Sequence, residues 1–156
     1  MNEIIQNQKE ELKDLIYKAP ALITLYAVNH RGESLGPSEE RAAIIYLSIL
    51  CNQGPEELQD FFVDVKKTFQ ECLSKLDKSL PKGEKERKAE IEEQLLPVKH
   101  FINTLPLSYK TIFKEALLGF LTHARGVVGD TLESVILPFI SDNLRKIENE
   151  RMRWIL

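Results

Sequence analysis

Apolar residues recurring at three- and four-residue steps decide most of what this chain can fold into. Leu58, Phe61, Phe62, Val65, Phe69, Cys72, Leu73, Leu76 and Leu80 keep that spacing. On a helix they form one stripe, whereas on a strand they would scatter over both faces. Pro55 suits the first helical position, Glu56 and Glu57 complement the positive end of the dipole, and Leu80-Pro81-Lys82-Gly83 stops the run. A long amphipathic helix from Pro55 to Leu80 is therefore expected.

The other segments show the same period. Asn2 to Asn29 reads as one helix or two, with a kink or break expected near Tyr17 to Ala19, because Pro20 has no amide hydrogen. Ser38 to Cys51 is apolar on every face through Ala42-Ala-Ile-Ile-Tyr-Leu-Ser-Ile-Leu, the pattern of a helix surrounded by others. With the half after Pro20 it is expected to make the middle of the core. Lys82 to Glu93 alternates in sign, with Glu84 and Lys88 at a favourable spacing, and reads as a solvated helix face rather than a binding patch. The pattern then turns apolar through Ile91, Leu95, Val98, Phe101, Ile102 and Leu105, with Pro97 as an expected kink. Leu105 to Ser108 closes that helix and opens the next. Ile112, Phe113, Ala116, Leu117, Phe120 and Leu121 stripe a helix to Ala124, and Arg125 to Asp130 reads as a loop. Asp130-Thr-Leu-Glu133 fits a capping box opening a final helix from Thr131, which Pro138 bends. No segment alternates long enough for a strand.

Composition narrows the class. At 156 residues, 43% hydrophobic and 29% charged, with 7 Gly and 7 Pro, the chain reads as one globular domain over residues 1–156. A net charge of -3 without an unbroken Lys/Arg stripe argues against nucleic acid as a partner. The charged N-terminal residues argue against a signal peptide, and no uncharged stretch approaches the ~18–20 residues that span a bilayer. Cys51 and Cys72 lie in apolar helical patterns, where a buried, reduced thiol is expected. Together these features suggest a cytoplasmic protein.

Setting Gly32 against Gly126 superposes two helix–loop–helix units. Leu25, Tyr26 and Ala27 meet Gly119, Phe120 and Leu121, and after a one-residue offset Gly36 meets Gly129, Ser38 meets Thr131, and Glu40 meets Glu133. The expected architecture is thus an all-α bundle of about six helices with an internal pseudo-two-fold helix–loop–helix repeat. Arg31-Gly-Glu33 with Pro37-Ser-Glu-Glu40, and Arg125-Gly-Val-Val-Gly-Asp-Thr-Leu-Glu133, resemble the repeat of the tellurite-resistance TerB-like family over residues 20–50 and 105–144. That resemblance implies an all-α pseudo-symmetric fold, a stress-related assembly, and acidic loop residues proposed in the family to hold a divalent cation. Here Arg31 and Arg125 occupy the aspartate positions and Val127 an acidic one. A guanidinium repels a cation that needs several oxygen ligands, so the metal site is not carried over.

His30, His123, Glu33, Glu40 and Glu133 are the one His/Glu set available to a metal ion or to proton transfer. The set lacks helical ligand spacing, and Arg31 sits between two of its members. Both histidines are better read as facing the negative ends of helix dipoles. Arg31 and Arg125 are expected to pair with Glu133 and Glu40 across the repeat, fixing the loops. Gly-x-Ser-x-Gly is absent, and the loop glycines lack the strand that precedes a phosphate cradle. Arg145 to Leu156, with the single Trp154, reads as a packed helix end or as a surface for a partner or membrane. The reading is a non-enzymatic cytoplasmic module binding an unidentified protein, with no cofactor; the alternative is divalent-metal or small-ligand binding at the two loops.

Overall fold

The computed structural model describes residues 1–29 and 35–126. They form six α-helices and, among the described residues, no strand: α1 (Asn2–Gln6), α2 (Glu10–Asn29), α3 (Pro37–Gln53), α4 (Glu56–Ser79), α5 (Glu84–Thr104) and α6 (Leu107–Gly126). The all-α bundle of about six helices read from the periodicity is the fold.

Its axis is α2. Every residue from Ala19 to Asn29 is buried, and α2 packs on α1, α4, α5 and α6. Of the kink or break expected near Tyr17 to Ala19, the break does not occur: α2 runs unbroken through Pro20. A mid-helix proline costs about 3 kcal/mol, whereas burying each of Leu22, Ile23 and Leu25 contributes about 1.5–3 kcal/mol, so packing outweighs the lost bond. The interruption falls earlier, at residues 7–9. There the Asn7 amide donates to Glu3 O, and the Gln8 side chain donates to Ile4 O at 3.1 Å, satisfying a carbonyl that α1 leaves open.

Segment α3 departs from expectation in the opposite sense. It packs on α4 and α6 but buries only Ala43, Leu47 and Leu50, so it lies at the side of the bundle rather than in its middle. Among the described residues, α4 and α6 leave part of its apolar surface, including Ile45, uncovered. The two helix starts also shift by a residue: Pro37 opens α3, and Pro55 is the N-cap of α4 instead of its first residue. Helix α5 begins inside the charged stretch at Glu84 and continues through Pro97, and α6 extends to Gly126, past the expected loop start at Arg125.

A chain of rings ties four helices together. Tyr17 of α2 meets Phe61 of α4 at 5.2 Å between centroids, and Phe61 meets Phe62 at 5.0 Å and Phe113 of α6 at 5.5 Å. Phe62 and Phe69 then converge on Phe120 of α6, which takes the edge of Tyr46 of α3 at 4.8 Å. Each such pair adds about 0.5–1.5 kcal/mol beyond its buried area.

The turn from α4 to α5 is closed by Arg87. Its guanidinium donates to the Asp77 carboxylate, to Asp77 O at 3.2 Å and to Pro81 O at 3.4 Å. Asn29, the last residue of α2, donates to Glu84 O at 3.1 Å, fastening the start of α5 to the central helix.

Of the suggested duplication, α2 and α3 are the first pair and α6 opens the second. The segment from Thr131, with its capping box and Pro138, and the Arg145 to Leu156 stretch lie outside the described residues.

Candidate functional site

Of the residues singled out for metal or proton chemistry, Glu40 and His123 are described. His30, Arg31, Glu33, Glu133 and the side chain of Arg125 lie outside the described residues, so the loop ion pairs and the loop metal set do as well. Glu40 stands in the first turn of α3 with Glu39, where a carboxylate offsets the positive end of the helix dipole.

His123 sits at the α3–α6 contact. Its Nδ1 lies 2.7 Å from Gly119 O. A carbonyl only accepts, so Nδ1 carries the proton in the neutral ring and Nε2 is the basic nitrogen. The imidazole stacks on Tyr46 at 4.2 Å with the planes 14° apart. Burial holds the His123 pKa below its ordinary value, partly countered by the bond to Gly119 O. A neutral ring packed between helices and tied to a carbonyl is explained by packing.

Tyr46 was not singled out in the sequence, yet it organises this contact. Its hydroxyl donates to Ala116 O at 2.8 Å, and burial, with the Glu115 charge adding, drives its pKa up. Gly119 makes the approach possible, because a Cβ there would overlap the Tyr46 hydroxyl and ring carbons. The signal was present in the sequence: a lone glycine inside an apolar helix costs ~1 kcal/mol against alanine and often marks close packing.

The two thiols are free and half-buried rather than fully buried. Burial raises the Cys51 pKa against the opposing charge of Lys66, and raises that of Cys72 with Lys18 opposing. Thiols raised in this way are poor nucleophiles at neutral pH. Among the described residues no group of three or more His, Cys, Asp or Glu side chains gathers as a metal would require, and no helix is long and apolar enough to cross a membrane.

The surface offers shape rather than chemistry. A shallow apolar groove runs between α2 and α5 along Leu12, Leu96, Pro97 and Phe101, and a polar one between α2 and α4 is lined by Lys13, Asp14, Tyr17 and Asp64. On α3, Ile45 is 51% exposed, with Ile44 and Ile49 half-buried on either side of it in sequence. Across the Gly54–Pro55 turn, α4 exposes Val63. No protein-family model, no curated protein and no solved structure matches the chain.

Proposed function

We propose that this chain is a non-enzymatic protein-interaction module that receives a partner on the outward face of α3. The observation that carries this reading is the mismatch between the composition and the placement of α3. A helix apolar on every face belongs among other helices, yet among the described residues this one packs on α4 and α6 and leaves Ile45 half in water. Covering the exposed half of such a side chain contributes about 1 kcal/mol, roughly half the value for full burial, which gives a partner helix or loop a reason to settle there. The resemblance of the glycine loops to the TerB-like repeat supports placing the partner in a stress-related assembly. Arginines at the aspartate positions weigh against a cation as the ligand.

The test compares Ile45→Glu with the parent chain, each immobilised and exposed to extract of the cells that make it. An exposed substitution of this kind changes stability by about 0.5 kcal/mol or less, so both chains should melt alike. A protein captured by the parent and lost with Ile45→Glu supports the reading. Equal capture by two equally folded chains overturns the assignment to α3.

A further inference from the structure

We draw no further inference here: the strongest candidate, the open apolar groove between α2 and α5 walled by Leu12, Leu96, Pro97 and Phe101, is an unpartnered face, and nothing in the structure shows what covers it.

Discussion

Gly119 and Tyr46 form a lock whose parts are separable by mutation. Alanine in place of a helical glycine ordinarily gains up to ~1 kcal/mol. At this position the added Cβ would overlap Tyr46, and overpacking costs about 1–3 kcal/mol. Gly119→Ala should therefore destabilise the parent chain in urea denaturation. In a Tyr46→Ala background, where the obstructing ring is gone, the same change should be neutral or stabilising. An identical cost in both backgrounds would refute the contact. His123 makes a second residue-level prediction. Its pKa in the fold lies below the ordinary value because of burial, so the unfolded chain takes up the proton first as pH falls through about 6.5. The stability tied to the neutral ring is complete above that pH and is lost as pH falls toward the folded pKa. Lowering the pH from 7.5 to 5.5 should move the urea midpoint of the parent chain down by more than that of His123→Phe, which keeps an aromatic ring but cannot titrate.

Hydrogen bonds from Arg87 and Asn29 fasten the start of helix α5 to α4 and α2. Arg87, with a side chain 13% exposed, serves the Asp77 carboxylate and the carbonyls of Asp77 and Pro81 at once. Removing it with Arg87→Ala leaves a half-buried carboxylate and two carbonyls without that donor, a loss of about 1–3 kcal/mol. Arg87→Lys should restore little, because an ammonium lacks the planar fork that spans the three acceptors; full recovery by lysine in urea titrations would show that charge alone matters. Helix positions were legible in the sequence because period is a local property. The stripes of α4 and α6 fell where the spacing put them, and the Leu105 to Ser108 boundary separates α5 from α6. That the helix continues through Pro20 is not legible in the sequence because the cost of a proline is local while its compensation is not: the burial of Ala19 to Asn29 depends on α4, α5 and α6 arriving around α2. The lateral place of α3 among the described residues is hidden for the same reason, since an apolar surface specifies that something should cover it without specifying what. Tyr46 went unnoticed because its partners, Ala116 and Gly119, are about seventy residues away in sequence. The loop residues His30, Arg31, Glu33 and Glu133 lie outside the described residues.

At the scale of the whole molecule, one hydrophobic cluster takes in residues from all six helices, with α2 enclosed by its neighbours and Phe120 joining α3, α4 and α6. A core without internal partitions has no way to release α2 while keeping the rest, so the amides of Leu22 to Val28 should exchange with solvent only through global unfolding. Helix α1 is different: it is five residues long and buries Ile5 alone, and its amides should exchange through local opening at a much lower free energy. Truncating Phe120 to alanine tests the arrangement. Deleting a fully buried phenylalanine costs about 3–5 kcal/mol, a large part of the 5–15 kcal/mol that holds a domain of this kind together. If the core is one cooperative unit, native-state hydrogen exchange of Phe120→Ala will show the protection of α2 falling by the same free energy that urea titration reports, although Phe120 belongs to α6. Protection of α1 will barely change, because its opening does not pass through the global transition. Should α2 keep its protection while α3 and α6 lose theirs, the bundle would consist of two units that unfold separately, and the central role given to α2 would be wrong.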